Sequence, residues 1–89
     1  MKAIITVNAA DTVGIIAFIS AYLAEHNVNI LDISQTIIKD FFVMIMLVDF
    51  EKSDIAFDEL RRKLVSLGEE RKVAIHVQRE DIFQAMHRV

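Results

Sequence analysis

Two hydrophobic periods take turns along this chain, and their order predicts its elements. Lys2 to Asn8 carries the β-branched run Ile4-Ile5-Thr6-Val7 and predicts a strand. From Val13 to about Glu25 the spacing becomes helical, with Ile15, Ile19, Tyr22 and Leu23 on one side. Ile16, Phe18 and Ala21 occupy the other side. This helix is therefore apolar on nearly every face, a pattern that predicts cover on two sides. Asp11 or Thr12 is suited to cap its start. His26 and Asn27 are suited to its end, His by charge and Asn by its tolerance of a left-handed turn.

Val28 to Ile38 predicts a second strand and Phe41 to Phe50 a third. The two residues between them, Lys39-Asp40, predict a hairpin in which Asp accepts positive φ. The third strand, Phe-Phe-Val-Met-Ile-Met-Leu-Val, does not alternate, and such a run implies cover on both faces. Helices can cover one face; a partner subunit or the chain's own tail is left for the other. About Ser53 to Lys72 reads as an amphipathic helix capped by Ser53 or Asp54. Ala56, Leu60, Leu64 and Leu67 point inward and Arg61, Arg62, Lys63, Glu69 and Glu70 outward. Gly68 marks a loosened last turn. Val73, Ile75 and Val77 alternate with Ala74, His76 and Gln78 as a half-buried strand reaching Arg79. Glu80 to Arg88 predicts a short final helix with Ile82, Phe83 and Met86 on one side, too short to stand without docking. The order β-α-β-β-α-β is the ferredoxin-like α+β plan: a four-stranded antiparallel sheet with two helices on one face, plus the terminal helix.

Length and composition narrow the picture. The 89 residues suit one domain, with a core over 1–79 and a helical extension over 80–89. The apolar share of 54% is more than a chain this small can hide within itself, so part of it is expected in a subunit interface. Ten basic against thirteen acidic residues give a net charge of −3, a poor basis for neutralising nucleic-acid phosphates. There is no cysteine, hence no disulfide framework and no thiolate chemistry, which fits a reducing cytoplasm. The opening Met-Lys-Ala-Ile-Ile runs straight into a strand pattern, and Phe41 to Val48 is too short to cross a bilayer. A soluble, cytoplasmic domain is the expectation, with no membrane partner.

Chemistry concentrates at one place. Asp11-Thr12-Val13-Gly14-Ile15 lies between a strand and an apolar helix, where free backbone N–H groups can receive a small anion. Structural readings stand beside this one. Asp11 serves equally as a helix cap, worth about 1 kcal/mol; Gly14 can simply allow close helix packing; Asn29 can be a turn residue. His26, His76 and His87 fall on separate elements without metal-ligand spacing, so no metal and no cofactor is expected. Asp32 and Ser34 suit a sheet edge or a polar pocket. Met44, Met46 and Met86 suit core gaps, and Arg61-Arg62-Lys63 a solvated helix face. Ser20, Ser34, Ser53 and Ser66 lack a base at any telling spacing, so no catalytic residue is assigned and the chain is not expected to be an enzyme. An RNA-binding module shares this topology, and Phe41-Phe42-Val43 is a faint echo of one. The first strand has no aromatic, and the neighbouring Gly and basic residues are missing.

Val-Asn-Ala-Ala-Asp-Thr-Val-Gly-Ile-Ile-Ala (7–17) followed by Leu-Ala-Glu-His-Asn-Val-Asn-Ile-Leu-Asp-Ile (23–33) resembles an ACT domain, the small regulatory module that senses amino acids. The tail Gln-Arg-Glu-Asp-Ile-Phe-Gln-Ala-Met-His-Arg (78–88) resembles stand-alone ACT proteins of unassigned function. The resemblance implies sheets joined side by side in a homodimer or larger oligomer, with an amino acid held between subunits. It implies ligand contacts from Asn8, Ala9, Asp11, Thr12, Val13, Gly14 and Ile15 of one chain, and from Asn29 and Ile30 of its neighbour. Ala9 stands where many relatives carry glycine and Val13 where many carry proline. Ala9 restricts the backbone and so narrows or reshapes the loop. A ligand-free oligomerisation or interaction module is the alternative that this departure keeps open. In the sensing reading the signal passes to a separate effector protein, with Asp81–Val89 and the exposed face of the second helix as candidate docking surfaces.

Overall fold

Four strands and two helices make up the computed structural model, which describes residues 1–10 and 14–81. In chain order they are β1 (Lys2–Ala9), α1 (Ile15–Glu25), β2 (Asn29–Ile38), β3 (Phe41–Asp49), α2 (Phe57–Glu70) and β4 (Ala74–Arg79). Every neighbouring pair of strands is antiparallel and the sheet order is β2-β3-β1-β4, the ferredoxin-like arrangement. Strands β2 and β4 are the edges. Beyond Asp81 the predicted final helix, with Ile82, Phe83, Met86 and His87, lies outside the described residues.

The core forms where the period-2 and period-3.6 patterns meet. Ala3, Ile5, Val7 and Ala9 of β1, Phe42, Met44, Met46 and Val48 of β3, and Ile75 and Val77 of β4 turn to one face. Ile15, Ile19 and Leu23 of α1 and Leu60 and Leu64 of α2 close over them. The two methionines fill the sheet centre, as their flexible side chains allow. No polar or charged side chain is buried among the described residues.

Several expectations are corrected. Strand β3 does alternate: Phe42, Met44, Met46 and Val48 are buried, whereas Phe41 and Ile45 are exposed and Val43 and Leu47 half-buried. Its apolar outer face carries no second layer among the described residues; the tail expected as one possible cover lies outside them. In the hairpin, positive φ falls on Lys39 (57°), not on Asp40. Helix α1 starts at Ile15 rather than Val13, with Gly14 as its N-cap; Asp11, Thr12 and Val13 lie outside the described residues. Neither Ser53 nor Asp54 caps α2. Its N-cap is Ala56, which is exposed rather than inward and offers no side-chain hydrogen bond. Ser53 instead closes a local turn on the backbone of Ile55. Leu67 is half-buried, while Leu60 and Leu64 carry the inward face.

Gly68 is the clearest reversal, being the tightest point of α2 and not a loosened turn. A Cβ there would stand 2.5 Å from the carbonyl oxygen of Val73 and 3.0 Å from the Ile75 side chain. The N–H groups of Arg71 (3.0 Å) and Val73 (2.8 Å) both donate to the Gly68 carbonyl, and Lys72 takes positive φ (59°) to complete the reversal into β4. At the other end of the helical layer, His26 ends α1 and its Nδ1 lies 2.7 Å from the Asp54 carboxylate. The Asp54 N–H donates to the His26 carbonyl at 3.2 Å, and the Tyr22 ring lies against the imidazole. That histidine therefore ties α1 to the segment that leads into α2.

Candidate functional site

The strand-to-helix connection after β1 is built by three backbone decisions. Ala9 ends β1 with its methyl buried against the helical layer and its Cα opposite Phe42. Gly14 then adopts φ 75°, a left-handed conformation that side chains resist, and a Cβ added to it would meet nothing within 4 Å. Its glycine is thus required by conformation, which corrects the reading that it permits close packing. From there α1 begins, with the Gly14 carbonyl accepting the Phe18 N–H at 3.0 Å. Asn8 is exposed on the open face of the sheet between Val43 and Ala74, and Ile15 is buried in the core.

Asn29 and Ile30 lie elsewhere. Asn29 opens β2 as an exposed residue opposite Asp49, and Ile30 is half-buried against the core. The positive φ of this turn belongs to Asn27 (59°), so Asn29 is not the turn residue. Register locates both groups: Ala9 pairs with Phe42, which pairs with Ile37, while Lys2 pairs with Asp49, which pairs with Asn29. The loop end of β1 and the Asn29 end of β2 are consequently at opposite ends of the sheet, roughly 20 Å apart at the rise of an extended strand. Within a single chain they do not form one site.

Asn29 shares a cleft with Asn27, Asp49, Glu51 and Lys52. There the Glu51 N–H donates to the Asp49 carboxylate at 3.0 Å and holds its pKa below the ordinary value; the chain's amino terminus, 3.6 Å away, adds to this. Tyr22 is shifted the other way. Burial raises its pKa, helped by the charges of Glu59, Glu25 and Asp54.

Two features escaped the sequence pattern. One is the apolar flank of β2: Leu31, Ile33, Ile37 and Ile38 are exposed, Ile37 at 68%, and Ile16 of α1 is exposed beside them. Ile16, Gln35, Thr36, Ile37 and Phe42 line a cleft of about 520 Å³ on this flank. The other is a cleft of about 250 Å³ on the opposite side of the α1 start, between the end of β1 and the α2–β4 turn, which presents Arg71 and Lys72. A basic pair just past a helix end was the available signal, but only the fold brings it beside Phe18, whose ring the Arg71 guanidinium covers at 4.4 Å. Asp32 and Ser34 are exposed on the β2 edge. No group of three His, Cys, Asp or Glu able to hold a metal occurs among the described residues, and no helix there is long and apolar enough to cross a membrane.

This order of elements, with a glycine-initiated first helix, matches a known family along most of its length. The ACT-domain family model aligns with residues 2–78. The chain belongs to the ACT-domain family. A UPF0237 protein of Methanopyrus kandleri is 52% identical over 88 residues, covering 99% of this chain and 98% of that protein. Among solved structures, an ACT domain protein from Streptococcus pneumoniae superposes with a TM-score of 0.83 at 39% identity, covering 94% of each chain. A putative glycine cleavage system transcriptional repressor shares the fold, at a TM-score of 0.74 and 19% identity, over 88% of this chain and 44% of its own. ACT domains are regulatory modules of the ligand-sensing kind.

Proposed function

We propose that this ACT domain, spanning 1–89 with 80–89 as an extension, acts in the cytoplasm as a homo-oligomeric sensor whose basic unit is a dimer. It binds an amino acid between subunits, the residues from Asn8 to Ile15 of one chain facing Asn29 and Ile30 of another. The observation that carries this reading is the pairing of an exposed apolar edge with two half-sites at opposite ends of the sheet. Two β2 edges related by a twofold axis run antiparallel, so one chain's Asn29 end comes level with the other's Ile37 end, where the β1–α1 connection also lies. The Leu31, Ile33 and Ile37 side chains and Ile16 supply the apolar surface that such an interface needs.

The mechanism is linkage. A ligand touching both chains favours one pairing geometry by its differential affinity, and that geometry is read by a separate effector protein. The exposed Arg61, Arg62 and Lys63 of α2, and the segment from Asp81 to Val89, are its candidate contacts. A thermal-shift screen with the twenty amino acids tests the reading, since a ligand at a hundredfold excess over Kd stabilises by about 2.7 kcal/mol. We expect one amino acid or a small related group to raise Tm. A dimer that no amino acid stabilises favours the second reading, a ligand-free interaction module, for which the buried and conformationally restricted Ala9 is the supporting observation.

A further inference from the structure

The cleft beside Arg71 is lined, among the described residues, by the β1 end, the start of α1 and the α2–β4 turn, and it lies on the α2 side of α1, away from the β2 flank. Ile15, Phe18 and Val73 give it apolar walls, Ala9 and Ala10 border it, and Arg71 and Lys72 are its charged residues. No acidic residue lines it among the described residues. The turn that presents the two cations is rigid. The N–H groups of Arg71 and Val73 converge on the Gly68 carbonyl, and Gly68 has no room for a side chain. Arg71 is further ordered by lying over the Phe18 ring at 4.4 Å. Stacking occupies the face of a guanidinium and leaves its in-plane N–H edge available, the edge that grips a carboxylate through two parallel hydrogen bonds. Among the described residues neither Arg71 nor Lys72 belongs to an ion pair.

We propose that this cleft binds a small carboxylate with an apolar body. Arg71 takes the carboxylate, Lys72 adds charge at the rim, and Ile15, Phe18 and Val73 hold the hydrocarbon portion. It shares Ala9 and Ile15 with the interface site proposed above and differs from it in drawing its charge from Arg71 and Lys72 of the same chain.

The test is an NMR titration of the ¹⁵N-labelled full chain with 4-methylpentanoate, with 4-methylpentanamide as the neutral counterpart. The expected result is saturable shifts in the amides of residues 71–73 and 15–18, with the amide compound binding about tenfold or more weakly. Arg71→Met should lower carboxylate affinity by a similar factor, and Arg71→Lys by less, because the charge remains but the two-pronged grip is lost. Arg71 is exposed, so both variants should keep the spectrum of the folded chain elsewhere. Equal binding of acid and amide, unchanged affinity in Arg71→Met, or shifts confined to other residues would overturn the proposal. The β2-edge variant Ile37→Lys serves as the control: a monomer that still binds 4-methylpentanoate supports an intrachain site, and one that has lost binding refutes it. The interface reading fails on separate grounds, a wild-type monomer in solution.

Discussion

Gly14 and Gly68 are the only glycines of the chain, and different forces select them. Gly14 has open space around its missing Cβ but a left-handed backbone, so alanine there costs only the conformational penalty, about 1–2 kcal/mol. Gly68 meets a backbone oxygen at 2.5 Å that cannot retreat without opening the Arg71–Val73 turn. Gly68→Ala should therefore lower stability by about 2–3 kcal/mol, more than Gly14→Ala, as read from urea midpoints at equal m-value. Asp49 makes a second prediction at this scale. Its folded-state pKa is lowered, chiefly by the Glu51 N–H. The stability it contributes is therefore present above the ordinary carboxylate value and is lost as pH falls through the lowered one. Asp49→Asn keeps an oxygen for the Glu51 N–H and removes the charge. The acid limb of its stability–pH curve should be flatter than the wild type's, and the two curves should converge at the lowest pH.

Helix α2 illustrates what holds an element when local signals are weak. It has no side-chain N-cap, and its first-turn acids, Asp58 and Glu59, add only a modest dipole term. Its position comes from the fully buried Leu60 and Leu64, from Phe57 resting on Phe50, and from Gly68 sealing its end. Leu64→Ala should cost about 2–5 kcal/mol in urea unfolding, because a close-packed sheet–helix layer relaxes little around the cavity. Helix α1 behaves differently: its buried stripe, Ile15, Ile19 and Leu23, covers one side, and Ile16 remains outside. The apolar character that the sequence spreads around this helix is thus divided between the core and the flank beside β2.

At the scale of the whole molecule, the described residues expose an apolar flank along the edge strand β2, a surface that isolated domains ordinarily blunt with charge. Lysine at Ile37 leaves the core untouched, since that side chain is already 68% exposed. Ile37→Lys should keep the protomer folded, as seen by circular dichroism, and convert the proposed oligomer to a monomer, as seen by light scattering. A wild-type chain already monomeric would remove the β2 interface and with it the two-chain site.

Element order, the ferredoxin-like plan, the β-branched run of β1 and the alternating core of β4 were all legible in the residues, because each is written in local sequence. Ile4-Ile5-Thr6-Val7 and Val73-Ile75-Val77 need no partner to be read. The start of α1 is legible only approximately: Gly14 stands out in the sequence, but its reason, a positive φ, depends on how the chain turns out of β1. The same limit applies to β3, whose unbroken apolar run looks alike whether one face or two are covered. Burial is a property of neighbours and not of the run itself. For the site, the residue types around Asp11–Ile15 and Asn29–Ile30 and their family resemblance are readable without any fold. Strand pairing, absent from any local pattern, puts Ala9 and Asn29 at opposite ends of one sheet, and helix packing lays Arg71, more than fifty residues beyond Phe18, over its ring. Register and helix packing convert distant positions into neighbours, and no local period encodes that conversion.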